Sequence, residues 1–124
     1  MTETEMARLF KVAQEAGRVA ARARVPTPMI VQEHKNMLDG TSPVVRTYAP
    51  ILDGVCGFAW VNVRPGTSAF ARWLKRAGYG RTDSYYGGVT IWINEYGQSL
   101  ERKAAYAGAM GGVLSEAGIA AISH

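Results

Sequence analysis

The stretch VCGFAWVNV at residues 55–63 is the strongest strand signal in the chain. β-Branched and aromatic residues favour extended backbone, and successive side chains of a strand point to opposite faces of the sheet. One face carries Cys56, Phe58 and Trp60, and the other carries Gly57, Ala59, Val61 and Val63. Because both faces are apolar, the pattern predicts a central strand that is covered on both sides, at least in part, with Cys56 as a small buried residue.

The segments that follow this strand complete an alternating pattern of helices and strands. Pro65 and Gly66 predict a turn, Thr67 or Ser68 is suited to cap a helix, and Gly78 to end it. The further elements predicted are a helix to about 77, strands at 79–86 and 89–93 joined at Gly87-Gly88, a helix at about 98–117 and a strand at 119–122. The order predicts an α+β fold, a ferredoxin-like βαββαβ unit with an antiparallel sheet and two helices on one face.

An amphipathic helix is predicted ahead of this unit, at residues 1–25, with Thr2 or Thr4 as its cap. Its narrow apolar stripe consists of Leu9, Val12, Ala13, Ala16, Val19, Ala20 and Ala23. A connector rich in proline and glycine, residues 26–54, joins the helix to the compact α+β part at 55–124. We therefore expect one domain with an N-terminal helix and an irregular connector.

The last predicted helix contains many small residues, which lie between Ala104 and Gly112. Each interior glycine lowers helix propensity by about 1 kcal/mol relative to alanine, so we expect a close neighbour to compensate. The sequence leaves two neighbours open, namely the sheet or N-terminal helix of the same chain, and another protein chain.

Composition excludes several classes of protein. Of the 124 residues, 48% are hydrophobic and 19% charged, which is unlike an intrinsically disordered chain. No apolar run approaches the roughly 18 residues of a membrane span, and Glu3 and Glu5 do not fit a secretory signal. A single cysteine supplies neither a disulfide framework nor a zinc site, so we expect a reducing compartment.

The sequence shows no constellation of catalytic residues. Asp83 and Ser84 have no nearby histidine that would complete a triad, and His34 has no second ligand at a metal-binding spacing. Tyr85-Tyr86-Gly87-Gly88 lacks the lysine and the strand-to-helix context of a phosphate-binding loop. We expect a protein without enzymatic activity, cofactor, metal or small-molecule substrate.

A modest positive charge favours acidic partners, since 14 Lys and Arg face 10 Asp and Glu, a formal net charge of +4. The candidate basic surface consists of Arg8, Lys11, Arg18 and Arg22 on the first helix and Arg72, Lys75 and Arg76 on the second. One interpretation is phosphate or carboxylate binding, and the other, which we favour, is an ordinary solvated face.

Exposed aromatic residues on an open ferredoxin-like sheet are the means by which RNA-recognition domains bind bases. Phe58, Trp60 and Trp92 are candidates for such a face, with Arg64 and Arg81 at its edges. No segment matches the characteristic basic and aromatic motif of those domains, however. The sequence therefore favours buried core aromatics.

The segment GVCGFAWVN at 54–62 resembles small uncharacterised proteins of tailed bacteriophages. The similarity continues through Ile91-Trp92-Ile93, Gln98 and Lys103-Ala104 to Gly118, although the ending at 120–123 departs from the pattern. The resemblance carries no catalytic residues, and it implies a phage origin.

Together these features lead us to expect a non-enzymatic bacteriophage protein that is a structural component of the virion. Head decoration or capsid stabilisation through contacts with other subunits, capsid or self, would use the proline-rich connector and the small-residue helix faces. The alternative is a free cytosolic phage protein that inhibits the host or binds nucleic acid through its basic helix face. The expected location is the virion or the host cytoplasm, neither secreted nor membrane-embedded.

Overall fold

The computed structural model describes residues 1–26, 32–34, 44–47, 57–95 and 99–124. The three helices are α1 (Glu3–Ala23), α2 (Ala69–Ala77) and α3 (Leu100–Glu116). The strands are β1 (Gln32–His34), β2 (Val44–Thr47), β3 (Trp60–Val63), β4 (Arg81–Thr82), β5 (Val89–Trp92) and β6 (Ala121–Ser123). The predicted α+β class and the N-terminal helix are confirmed.

Four strands form one antiparallel sheet in the order β4-β5-β3-β6. The central strands β3 and β5 pair in a register that places Trp60 opposite Trp92 and Asn62 opposite Thr90. The face turned towards the helices is fully apolar, with Val61, Val63, Val89, Ile91 and Ile93 all buried. One face of the sheet therefore belongs to the core, and no helix of the described residues covers the other face.

Local capping sets the helix boundaries. The Thr2 side chain accepts a hydrogen bond from the Glu5 backbone N–H (3.1 Å), and the Glu5 carboxylate accepts one from the Thr2 N–H (3.2 Å). Ser68 caps α2, and Gly78 ends it in the left-handed conformation with φ of 82°. Ser99 caps α3 through its side-chain oxygen. These boundaries agree closely with those predicted from the sequence.

The orientation of α1 differs from the prediction. Its buried residues are Met6, Phe10, Ala13, Gly17 and Ala21, whereas Val12 and Val19 of the predicted apolar stripe are 54% and 53% exposed. The helix is thus rotated by about 100° from the predicted orientation. The largest apolar side chains decide this rotation, because Phe10 packs on Trp73 and Tyr79 with ring centroids 5.8 and 4.4 Å apart.

The close approach between helices occurs at a glycine of α1 rather than at the glycines of α3. A Cβ on Gly17 would lie 2.7 Å from the ring of Tyr106, so α1 and α3 meet there with no room for a side chain. By contrast, a Cβ on Gly108 or Gly112 would meet nothing within 4 Å. The close neighbour expected for α3 is therefore α1 at Tyr106, while Gly108 and Gly112 are exposed to solvent.

Part of the connector is regular, which corrects the prediction of an irregular segment. Strands β1 and β2 pair antiparallel, with a register shift between Glu33 and His34. The predictions for Cys56 and for most of residues 26–54 lie outside the described residues. Among the helices of the described ranges, none is long and apolar enough to cross a membrane.

Candidate nucleic-acid interface

The sheet face opposite the helices carries a cluster of rings. Alternation along β3 and β5 turns Trp60 and Trp92 to this side, because their neighbours Val61 and Ile91 point into the core. The cluster, here called the aromatic face, consists of Phe58, Trp60, Tyr86, Trp92 and His124.

These rings contact one another in a continuous series. Trp60 and Trp92 have centroids 4.9 Å apart, as expected for directly opposed positions on neighbouring strands. His124 stacks on Trp60 at 5.3 Å and on Tyr86 at 5.2 Å, with interplanar angles of 17° and 26°. Phe58 meets Trp92 edge-on at 6.4 Å. The series gives the sheet a broad apolar surface with several ring planes.

The expectation that these aromatic residues are buried in the core is wrong for two of the three candidates. Phe58 is 70% exposed and Trp92 is 46% exposed, while Trp60 is partly buried beneath its neighbours. The reason is the position of the helices, since α1 packs along α3 on the other side of the sheet. In the described part of the chain, no helix covers the aromatic face.

A buried polar network fixes the loop that carries Tyr86. Asn62, fully buried, donates to the Gly87 carbonyl (2.8 Å) and to Thr90 Oγ1 (3.1 Å), and its own oxygen accepts from Arg64 Nε (2.7 Å). Thr90 Oγ1 in turn donates to Asp83 Oδ2 at 2.8 Å. Such a network holds loop 83–88 against the sheet, because each buried polar group has a partner within it.

Asp83 organises the same loop at its exposed end. Its Oδ1 accepts hydrogen bonds from the backbone N–H groups of Tyr85 (2.8 Å) and Tyr86 (2.9 Å). These bonds, with the one from Thr90, favour the charged carboxylate and lower the pKa of Asp83 below its ordinary value of 3.8. Through these bonds the Asp83 carboxylate helps to hold the backbone of Tyr86 in place beside the aromatic face.

We expect the free energy of unfolding to fall in acid, partly because Asp83 becomes protonated. A carboxyl whose pKa is lower in the folded state contributes its stabilisation fully above its ordinary pKa and loses it as the pH falls through the lowered folded pKa. In urea unfolding between pH 5.5 and 2.5, the advantage of the wild type over Asp83→Asn should shrink once the pH falls below about 3.8. Glu5 also has a lowered pKa, so Glu5→Gln is the control and should leave the Asp83 contribution in place. A gap between wild type and Asp83→Asn that stays constant with pH would contradict the assignment.

Positive groups surround the aromatic face. Arg64 lies at one edge through its bond to Asn62, and Arg81 is paired with Thr90 across the neighbouring strands. Lys103, only 5% exposed, places its ammonium 5.5 Å from the centroid of the Phe58 ring. The ionised carboxylate of Asp83 lies in the adjoining loop and accepts three hydrogen bonds, and the three cations can attract an anionic ligand to this surface.

The basic residues predicted from the sequence lie elsewhere, on α1 and α2. Arg18 pairs with Glu95 (3.2 Å), Arg22 with Glu15 (3.3 Å) and Arg76 with Glu3 (2.9 Å). The other four, exposed and without an ion pair to a described carboxylate, are Arg8, Lys11, Arg72 and Lys75. The pair between Arg76 and Glu3 brings the end of α2 to the start of α1. A binding role for the candidate basic surface stays a prediction.

Sequence reasoning missed three residues of the interface, namely Tyr86, His124 and Lys103. Tyr86 belongs to a loop that folds back over the sheet, and His124 follows the edge strand β6. Lys103 sits in the first turns of α3 and donates to the Gly57 carbonyl at 3.4 Å. The apolar context of Lys103 in an alanine-rich helix was the one available signal for burial.

Comparisons with protein-family models, with curated proteins and with solved structures gave no match for this chain. Within the residues that the structure describes, no group of three or more His, Cys, Asp and Glu side chains is placed to hold a metal ion. The aromatic face is therefore the feature of the described residues that bears on function.

Proposed function

We propose that this protein binds single-stranded nucleic acid on its aromatic face and performs no catalysis. The observation that carries the proposal is the set of rings exposed on the two central strands, with cations around them. Unpaired bases stack on aromatic side chains, and each such stack contributes about 1–3 kcal/mol of binding free energy. The bases of a duplex are already stacked on one another, so a flat aromatic surface favours single strands.

The charge distribution supports a polyanionic ligand over an apolar protein partner. Arg64 and Arg81, both exposed at the edges of the aromatic face, would contact phosphates beside the stacked bases. Two phosphate contacts would give a slope of about −1.4 for the logarithm of affinity against the logarithm of salt concentration, at about −0.7 per contact. Affinity should then fall about sevenfold between 50 and 200 mM salt.

Charge reversal at Arg81 tests the proposal. We expect Arg81→Glu to weaken binding of fluorescein-labelled dT12 or U12 by about tenfold, because it removes a phosphate contact and adds a repulsive charge. The matched control is Arg8→Glu, which changes the net charge equally on α1 and should shift affinity by less than about twofold. Fluorescence anisotropy measures both, with a 12-base-pair duplex as a second control.

Two results would contradict this function. One is the absence of binding to either oligonucleotide at 50 mM salt. The other is equal weakening by Arg81→Glu and Arg8→Glu, which would indicate a general charge effect instead of contact at the aromatic face.

The sheet topology supports a finer description of the fold, which we also propose. Strand β5 lies between the ends of the crossover β3-α2-β4, and β3 lies between the ends of the crossover β5-α3-β6. A single strand inserted into each β-α-β unit is the split arrangement of ferredoxin-like folds. RNA-recognition domains use the two central strands of such a sheet for base stacking, and Trp60 and Trp92 occupy the same two strands here.

A second candidate function is a structural role in a phage virion, favoured by the exposed stripe of α1. Val12, Glu15, Ala16, Val19 and Ala20 line a shallow groove on this stripe. The exposed cations Arg8 and Lys11 lie on the same helix. That combination suits the acidic surface of a capsid subunit. The chain should then remain on density-purified particles after a high-salt wash, and Val12→Glu with Val19→Glu should release it. Its absence from particles by mass spectrometry would end this candidate and leave the first untouched.

A further inference from the structure

Trp92 separates two grooves on the aromatic face. The first, here called the Lys103 groove, has a volume of about 390 Å³ and is lined by Phe58, Trp92, Ile93, Asn94 and Lys103. The second, the Arg81 groove, has a volume of about 300 Å³ and is lined by Gly78, Tyr79, Gly80, Arg81, Thr90, Trp92 and Asn94. Both volumes are at the lower end of the range for small-ligand sites, about 300–1,000 Å³, so each groove suits one small group.

The Lys103 groove combines ring surfaces with an anchored cation. Phe58 and Trp92 stand nearly perpendicular to each other, at 87°, so a planar group that stacks on one ring meets the edge of the other. Lys103 as a residue is only 5% exposed, and its ammonium donates one hydrogen bond, to the Gly57 carbonyl. An ammonium has three donors, and within the described residues the other two have no hydrogen-bond acceptor.

A buried cation with unused donors calls for a hydrogen-bond acceptor from the ligand. Thymine and uracil present the carbonyl oxygen O4 on the major-groove edge of the base, whereas adenine there has an N7 acceptor beside an amino donor that repels an ammonium. We propose that the Lys103 groove is a base subsite that selects thymine or uracil over adenine, with Lys103 donating to a base carbonyl. This inference rests on the proposed function, and it adds a base preference that stacking alone would not produce.

The Arg81 groove completes the arrangement on the other side of Trp92. Its lining is more polar, with Arg81, Thr90 and Asn94, and Arg81 forms no ion pair within the described ranges. A guanidinium there is suited to the phosphate that links the selected base to the next nucleotide. The strand would therefore cross Trp92, with its base in one groove and its phosphate in the other.

The test measures the affinity ratio of dT6 to dA6 by anisotropy, for wild type, Lys103→Met and Lys75→Met. Lys75→Met is the matched control, because it removes an equal charge from the exposed side of α2. We expect a ratio of about ten in the wild type, the scale of one hydrogen bond to a charged group, and a ratio near one for Lys103→Met. Comparing ratios between variants cancels the self-stacking of dA6, which is the same in each titration. Lys75→Met should keep the wild-type ratio.

Different results of this experiment would contradict the base subsite alone or the proposed function as well. Equal affinity of the wild type for both oligomers, or an unchanged ratio in Lys103→Met, would overturn the base subsite and leave single-strand binding standing. Failure of both oligomers to bind would overturn the proposed function as well. If Lys103→Met does not fold, photocrosslinking of a 5-iodouracil hexamer to the wild type decides whether the base subsite lies in the Lys103 groove. Crosslinks at Phe58 or Trp92 would support the subsite, and crosslinks confined to other peptides would refute it.

Discussion

Replacing Trp92 by alanine is expected to lower the affinity for dT12 by about 100-fold. Trp92 lines both grooves of the aromatic face and contacts Trp60 and Phe58. Its removal therefore takes away the ring that the bound nucleic acid would cross. One or two lost stacking contacts, at about 1–3 kcal/mol each, correspond to a loss of this size. Anisotropy titrations at constant salt, together with quenching of the remaining tryptophan fluorescence, measure it.

The control for this variant is another exposed aromatic residue. Tyr85 is 85% exposed and meets Tyr86 edge-on at 4.7 Å, but it projects from the loop and lines neither groove. Tyr85→Ala should leave the affinity within about twofold of the wild type. Equal losses in Tyr85→Ala and Trp92→Ala would indicate non-specific hydrophobic binding, and an unchanged affinity in Trp92→Ala would remove the aromatic face from the proposed function.

Features that depend on neighbouring residues were predicted correctly from the sequence. The boundaries of α2 follow from Ser68, one of the two caps that the sequence offers, and from Gly78. The start of α1 follows from Thr2, again one of two candidate caps. Caps of this kind are decided within four residues, so no tertiary information is needed. The order of the elements from β3 to β6 and the α+β class follow from the same local signals, whereas β1 and β2 were not predicted.

The orientation of α1 was beyond prediction because it depends on distant partners. Counting apolar positions favoured the stripe with Val12 and Val19, yet Phe10 and Gly17 fit α2 and α3 better. A ring placed against Trp73 buries far more area than several alanines, and Gly17 leaves space for the ring of Tyr106. The identity of those partners is not encoded within α1.

The aromatic face was the less favoured interpretation of the sequence for a related reason. The strand at residues 55–63 is apolar on both faces, and alternation alone does not tell which face a helix layer will cover. All three helices pack on the side of Val61 and Val63, which leaves Phe58 and Trp92 exposed. The basic residues of α1 share one arc of the predicted helix and so indicate a charged surface, although Arg18 and Arg22 are engaged with carboxylates.

The second large effect is a loss of stability on replacing Gly88, which lies in the loop that carries Tyr86. We expect Gly88→Ala to lower the free energy of unfolding by about 3 kcal/mol, as the sum of two costs. Gly88 has φ of 67°, where an alanine costs about 1–2 kcal/mol, and its Cβ would collide with the Val63 carbonyl of central strand β3. Relief of such a collision by backbone movement costs typically 1–3 kcal/mol more.

Gly87 separates these two costs, since it has the same backbone requirement without the collision. Its φ is 77°, and a Cβ there would meet nothing within 4 Å. Gly87→Ala should therefore lower the free energy of unfolding by only about 1–2 kcal/mol, measured beside Gly88→Ala by urea unfolding. Equal losses would mean that backbone conformation alone sets the stability of the loop. A larger loss for Gly88→Ala would show that contact with β3 holds loop 83–88, and with it Tyr86, in place on the aromatic face.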